Sequence, residues 1–488
     1  MDRKKVLLLA YCFLFVLIVS PVVAGEVVSR DALRSRIDSI LKQANADRCK
    51  WALEVVSLDT GETLYERNAD LPLTPASNTK LFTTAAALRY LGPDFTVKTS
   101  FYFDGDVDGN GILHGNLIIY GRGDPNISGR FSNNPTSVFE QIADSLKTLG
   151  LREVSGDVVG DDSCFDSQYY GPWLREESGN WYAARVSALS FNDNCMNICV
   201  SPGAAPGTRA NVSKYPKTSY GQVINRASTT SSRKNGVWAT CGGDESDESA
   251  IIVNGKIWTG RREEVVCLPV AEPTLYAATV FKETLEHKGI RITGKVRVLD
   301  PGEKSAVSPG MTPIFEHESL PLSEMIKVVN KRSQNLHAEL LLKQVGLKAG
   351  LQPSFDGGAR AVDLFLREVG VPPESVSLHD GSGLCRSNRV TVHSIIQLLK
   401  FMDESKWRDA YRDSLAVAGI DNSLRSMYGM RSKVIGKTGS LDGVSAFSGY
   451  VNGETERLAI SMIVNGYKGG GYRVKQVRDK ICKELAQY

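Results

Sequence analysis

The chain predicts an α+β fold: an antiparallel sheet flanked by helices, built from both ends of the sequence and interrupted by two inserted, largely β domains. Three observations carry this expectation. After an apolar leader the chain reads as helix, two strands and helix, and its last third reads as helices, three strands and a closing helix. The stretch between them is rich in β-formers, glycine and tight turns. At 488 residues the chain exceeds one ordinary core, so two or three domains are expected.

The elements follow in order. Arg3, Lys4 and Lys5 precede the apolar run VLLLAYCFLFVLIV, and small residues lead to Ala24, so residues 1–24 read as a secretory signal peptide. A retained anchor is the alternative, because the run is near the short limit for a membrane span. Cys12 lies inside the run among aromatic neighbours, a poor place for lipid attachment. With no other long apolar segment, no membrane span is expected after processing, and the chain is expected in the periplasm or cell envelope. DALRSRIDSILKQA then reads as an amphipathic helix, and WALEVVSLDTGETLYERNAD as two strands joined by an Asp-Thr-Gly turn. A helix begins near Ser77 in PASNTKLFTTAAALRYL.

Beyond Leu91, FTVKTSFYFDGDVDGNGILHGNLIIYGRGDP is strand, turn and strand. Asp104, Asp106 and Asp108 imitate the opening of a calcium loop, but Gly115 stands where a bidentate glutamate is needed, and a polar hairpin is the better reading. AEPTLYAATVFKETLEHKGIRITGKVRV restores a helix and a strand. SLPLSEMIKVVNKRSQNLHAELLLKQVG reads as two helices with a polar break from Lys331 to Asn335. Three strands follow in KVIGKTGSLDGVSAFSGYVNGETERLAISMIVNGY, and GYRVKQVRDKICKELAQY closes the chain as a docked amphipathic helix, with a membrane-surface helix as the lesser reading.

A net charge of +3 on so long a chain gives no support to a nucleic-acid partner. Cys195 and Cys199 lack a histidine or second cysteine pair at zinc spacing, so neither a metal nor a cofactor is expected.

Chemistry concentrates in three short motifs. Ser77 and Lys80 form S-x-x-K, which alone fits a helix cap beside a surface lysine. Ser333-Gln334-Asn335 sits in the inter-helix break, and Lys437-Thr438-Gly439, followed by Ser440, lies on the first late strand. Together and in this order they are the signature set of active-serine penicillin-recognising enzymes. A serine hydroxyl needs a base, and a lysine three residues on shares its helix face. Burial and the like charge of Lys437 are expected to deprotonate Lys80. Ser333 can relay a proton to a departing amine, and Asn335 can hold Lys80 and a substrate amide together. The N–H groups of Ser77 and Ser440 offer an oxyanion hole, while Lys437, Thr438 and Ser440 suit a substrate ending in a carboxylate.

With the motifs PASNTK, RSQN, DGSGLCR and GKTGS, the chain resembles the D-alanyl-D-alanine carboxypeptidase/endopeptidase family, the class C low-molecular-mass penicillin-binding proteins. The resemblance implies a penicillin-binding-protein/serine β-lactamase-like domain with two insertions, one nested in the other. It implies D-Ala release from peptidoglycan stem peptides, cleavage of D-Ala to meso-diaminopimelate crosslinks, and covalent inhibition by β-lactam antibiotics. The expected division is residues 25–92 with 306–488 for the catalytic domain, 93–189 with 268–305 for the outer insertion and 190–267 for the nested one. GDVVGDDSCF resembles a family segment in which an aspartate approaches substrate, best matched by Asp161; a plain turn aspartate is the other reading. Asp380-Gly381-Ser382-Gly383 resembles a loop that supports the cleft, although Cys385 stands where a serine is expected.

Rival readings remain open at this point. A β-lactamase or esterase would share the acyl-enzyme, a Ser-His-Asp hydrolase could use Ser382 with His379 and Asp380, and an inactive wall-binding homologue would keep the fold. Of nine cysteines, eight follow the leader. Cys49, Cys385 and Cys482 fall in the outer domain and Cys164, Cys195, Cys199, Cys241 and Cys267 in the insertion. Both counts are odd; a Cys49 to Cys482 bridge is expected because their elements should pack together, with Cys385 free.

Overall fold

The computed structural model describes residues 29–44, 48–234, 236–242, 248–299 and 303–488; the expected signal peptide lies outside them. Strands from the two chain ends share one six-stranded antiparallel sheet, in the order Ala416–Val417, Val434–Leu441, Val444–Asn452, Arg457–Asn465, Lys50–Ser57, Thr63–Arg67. Lys50–Ser57 is sandwiched between its hairpin partner and Arg457–Asn465, with Trp51 opposite Val464. Its side chains alternate between two cores: Ala52 and Val56 face one helical layer, while Trp51, Leu53 and Val55 face another. The second layer is the pair of terminal helices Arg30–Gln43 and Tyr472–Ala486, so the closing helix docks on the sheet through Val474, Val477, Ile481 and Leu485.

The first layer contains the helix Thr79–Leu91, buried from Thr79 to Leu88. A helix apolar on every side belongs in the centre of a domain. Its Ala85-Ala86-Ala87 run and Phe82 pack in one cluster with the helices Leu322–Lys331, Asn335–Lys348 and Phe355–Val369. Burying a side chain such as Phe82 contributes about 1.5–3 kcal/mol. The helix stops at Gly92, whose φ of 85° a residue with a Cβ adopts poorly.

The outer insertion is a seven-stranded mixed sheet covered by the helices Ser137–Thr148 and Pro273–His287. Its hairpin Lys98–Val107 and Ile112–Tyr120 turns at Asp108, whose carboxylate accepts from the N–H of Asn110 and Ile112, both at 2.9 Å. The expected boundary at residue 305 needs correction: Phe315–Glu318 pairs with Lys98–Val107, so the insertion runs to Glu318. The nested segment contributes a three-stranded and a four-stranded sheet. Its core is continuous with the outer insertion: Phe139 stacks on Phe191 at 5.1 Å, and Tyr220 packs tilted against Tyr276 at 5.2 Å. The two inserted pieces are thus joined by one hydrophobic cluster.

The expected Cys49 to Cys482 bridge does not form in the structure, where the two sulfurs are not joined. Their elements do meet, since Cys482 is buried in the cluster that Cys49 borders, but the Cys49 sulfur instead accepts from Trp51 Nε1 at 3.0 Å.

Candidate active site

Ser77 lies in the 3-10 turn Ala76–Asn78 that leads into the helix Thr79–Leu91. It does not cap that helix; Asn78 is the capping residue, whose side chain makes no capping bond and donates instead to Ser448 Oγ at 2.7 Å. The turn is strained: Ala76 has φ of 48°, a left-handed conformation costly for a residue with a Cβ. Two glycines permit the packing around it. A Cβ on Gly383 would lie 1.9 Å from the Ala76 carbonyl oxygen, and one on Gly439 would lie 2.7 Å from the Pro75 oxygen and 3.0 Å from the Ser77 nitrogen. The KTG strand therefore lies directly against the backbone of the serine.

Lys80 is fully buried, and its Nζ sits 2.6 Å from Asn335 Oδ1, 2.7 Å from the Ser382 carbonyl and 3.1 Å from Ser77 Oγ. The first two partners can only accept. A neutral amine has two N–H donors and one lone pair, so these acceptors occupy both donors and direct the lone pair at the Ser77 hydroxyl. Burial lowers Lys80 to about 8, while Glu339 and Asp380 pull it upward. The expected repulsion from Lys437 falls instead on Lys437, which burial and then the charge of Lys80 drive well below its ordinary value.

Ser333 also has left-handed backbone, with φ of 56°, between the helices Leu322–Lys331 and Asn335–Lys348. Its Oγ accepts from Lys437 Nζ at 3.0 Å, and the same Nζ donates to the Thr438 carbonyl at 2.7 Å. Asn335 donates one Nδ2 hydrogen to the Tyr182 carbonyl at 2.7 Å, which leaves its second N–H for a substrate amide. The strand Val434–Leu441 is covered by Ala416–Val417 and the adjoining Ala418 at Val434, Ile435 and Gly436. From Lys437 onward its outer edge is open, with Thr438 half-buried and Ser440 exposed, which is the geometry for adding an extended peptide as a strand.

The structure brings Ser77, Lys80, Ser333, Asn335, Lys437, Thr438, Gly439 and Ser440 together, but not Asp161. That carboxylate is fully buried in the insertion, accepting from Ser305 Oγ at 2.6 Å and from the N–H of Ala306 at 2.8 Å and Ser163 at 2.9 Å. Its segment reaches the catalytic helices a few residues later, where Asp166 meets Lys343 Nζ at 2.5 Å. The rival use of Ser382 fails on geometry: its side chain is buried inside the loop, bonded to Asp380 at 3.3 Å, whereas His379 is exposed.

Sequence reasoning missed four contributors. Asp193, from the insertion, accepts from Gln334 Nε2 at 3.1 Å and lies 3.0 Å from His337 Nε2, with Arg130 bonded to it from the other side. No local pattern announces it. The Tyr182 and Ser382 carbonyls are backbone groups and carry no residue-type signal. Glu339, four residues after Asn335, did carry one, because that spacing sets both on one helix face. Burial pushes Glu339 up to about 8, with Asp380 adding to the rise.

A family model described as the D-Ala-D-Ala carboxypeptidase 3 (S13) family matches residues 33–488. A D-alanyl-D-alanine carboxypeptidase of Actinomadura sp. (strain R39) is 33% identical over 473 residues, covering 93% of this chain and 85% of that protein. The crystal structure of penicillin binding protein 4 (dacB) from Haemophilus influenzae superposes with a TM-score of 0.80 at 24% identity, covering 93% of this chain and 99% of that one. A second structure of that protein, complexed with a novel β-lactam, gives a TM-score of 0.74 at 22% identity over 93% and 100% of the two chains.

Proposed function

The chain belongs to the D-Ala-D-Ala carboxypeptidase 3 (S13) family and is a serine D-Ala-D-Ala carboxypeptidase; we propose that Ser77 is its nucleophile and peptidoglycan stem peptides its substrates. The observation that carries the residue assignment is the Lys80 amine, whose two donors face acceptors while Ser77 lies at 3.1 Å. Lys80 takes the Ser77 proton as Oγ attacks the carbonyl of the penultimate D-Ala. The N–H groups of Ser77 and Ser440 hold the oxyanion. The C–N bond breaks, and Ser333, bonded to Lys437, relays a proton to the departing amine. Water then hydrolyses the acyl-enzyme by the reverse proton path.

The terminal carboxylate is held by the Thr438 and Ser440 hydroxyls, neither of which is fully buried on this open strand edge, with Lys437 beside them. β-Lactams enter the same acylation step as covalent inhibitors. Crosslink cleavage at D-Ala to meso-diaminopimelate is the same acyl transfer with a different leaving amine. This substrate requires an exported enzyme, in keeping with the leader; among the described residues no helix is long and apolar enough to cross a membrane. Digestion of purified uncrosslinked and crosslinked muropeptides tests the reading. Free D-Ala is the expected product from the first and separated stem peptides from the second, and release of neither contradicts it.

A further inference from the structure

Glu339 is fully buried one turn beyond Asn335, and its two oxygens accept from consecutive peptide groups: Gly381 N–H to Oε2 at 2.8 Å and Ser382 N–H to Oε1 at 2.9 Å. The backbone so held carries the Ser382 carbonyl that binds Lys80 at 2.7 Å, and Thr83 Oγ1 donates to the adjoining Gly381 carbonyl at 2.7 Å. Asp380 grips the other side of the loop, accepting from Gly383 N–H at 2.9 Å, Cys385 N–H at 2.7 Å and Asn388 Nδ2 at 2.6 Å. Two buried carboxylates thus fix one carbonyl, and neither touches the lysine. Among the described residues Lys80 meets only neutral partners directly, although it lies between charged groups on three elements: Glu339 on the helix Asn335–Lys348, Asp380 in the loop and Lys437 on the strand.

We propose that Glu339 is a positioning residue for acyl transfer: it holds the Ser382 carbonyl on one N–H of the Lys80 amine, which keeps the lone pair on Ser77. The inference rests on Lys80 being the base. Without the Glu339 clamp the carbonyl can swing away, the amine can rotate, and its lone pair no longer has a fixed direction. A second consequence is electrostatic. The Glu339 charge favours protonated Lys80, so its removal lets Lys80 become a free base at lower pH.

The experiment is the pH profile of acylation by a chromogenic cephalosporin, measured on the full chain with thermal melting as a check of folding. Glu339→Gln keeps the shape but presents an N–H₂ to one of the two peptide N–H groups. Its plateau rate is expected to fall about 10- to 100-fold, and its acid limb to move to lower pH by roughly one unit. A native profile overturns the proposal, and so does a lowered plateau with an unmoved limb, which would make Glu339 merely structural. If Glu339→Gln does not fold, Glu339→Asp decides: a lowered plateau with native limb and native melting supports the proposal, and a native plateau overturns it. Lys80→Arg is measured alongside, because acylation surviving there refutes the base assignment itself, separately from Glu339.

Discussion

Lys80 Nζ and Asn335 Oδ1, 255 positions apart in sequence, meet at 2.6 Å where the helix Thr79–Leu91 packs on the helix Asn335–Lys348. The whole insertion lies between them in sequence, yet the two helices belong to one core. Loop-closure entropy grows only slowly with length, so an insertion of this size can separate two halves of a site at small thermodynamic cost.

The pH dependence of acylation follows from the burial of Lys80. Its value near 8 means that the amine is mostly protonated below that pH and free above it, so acylation of Ser77 is expected to rise as pH passes through about 8. Lys80 and Glu339 titrate as a pair, and the limb belongs to both. Lys80→Arg keeps a charge but supplies no free amine, and its acylation is expected to fall by several orders of magnitude at every pH. Stopped-flow measurement with a chromogenic cephalosporin checks both outcomes.

Asp193 ties the insertion to the second motif. Burial opposes its charge, yet His337 and Arg130 outweigh burial and hold the carboxyl well below the usual carboxylate range. A depressed carboxyl contributes stability that is present above its unfolded pKa of about 3.9 and is lost as pH falls through the folded value. Asp193→Asn is therefore expected to flatten the loss of stability on acidification below about pH 4. Asp193→Ala, which frees Gln334 and His337, is expected to slow acylation about 10- to 100-fold while the protein stays folded. An unchanged acylation rate in that variant would mean that the second motif holds itself.

Close backbone approach at the serine makes a steric prediction. Gly439→Ala must displace the Pro75 to Ser77 backbone, and Gly383→Ala must displace Ala76 from a φ that already stores strain. Both variants are expected to lose acylation by about 100-fold or more. Gly429→Ala, where nothing lies within 4 Å of an added Cβ, is the matched control and is expected to retain it.

Thiol reactivity separates the cysteines. Cys267 is exposed, and a hydrogen bond from Cys195 lowers its thiol, whereas burial raises Cys482 to about 12. Brief alkylation of the native protein, read by peptide mapping, should mark Cys267 first and Cys482 only after unfolding. Equal labelling of the two, or recovery of a Cys49 to Cys482 bridge, would contradict this arrangement.

What was legible in the sequence is what local chemistry fixes. The strand WALEVVS follows the Arg30–Gln43 helix, and the Asp59-Thr60-Gly61 turn leads into Thr63–Arg67, as its pattern predicts. The three motifs converge because each encodes its own side chains within a few residues. Contacts made across the fold were not legible: Gln334 meets Asp193 over 141 positions and Asn335 meets the Tyr182 carbonyl over 153. Asp161 was misread because resemblance over a segment does not say where its carboxylate turns, and this one is bonded inside the insertion. The short strand Phe315–Glu318 was missed because it is only four residues long and owes its conformation to pairing with Lys98–Val107.

The central claim is that Ser77 becomes acylated with Lys80 as its base, and the mass of the protein after incubation with benzylpenicillin tests it most directly. The account predicts one added drug mass, mapped by peptide digestion to Ser77, and no adduct on Ser77→Ala. An adduct of the same mass on Ser77→Ala, carried by Ser333, Ser382 or any other serine, would contradict it.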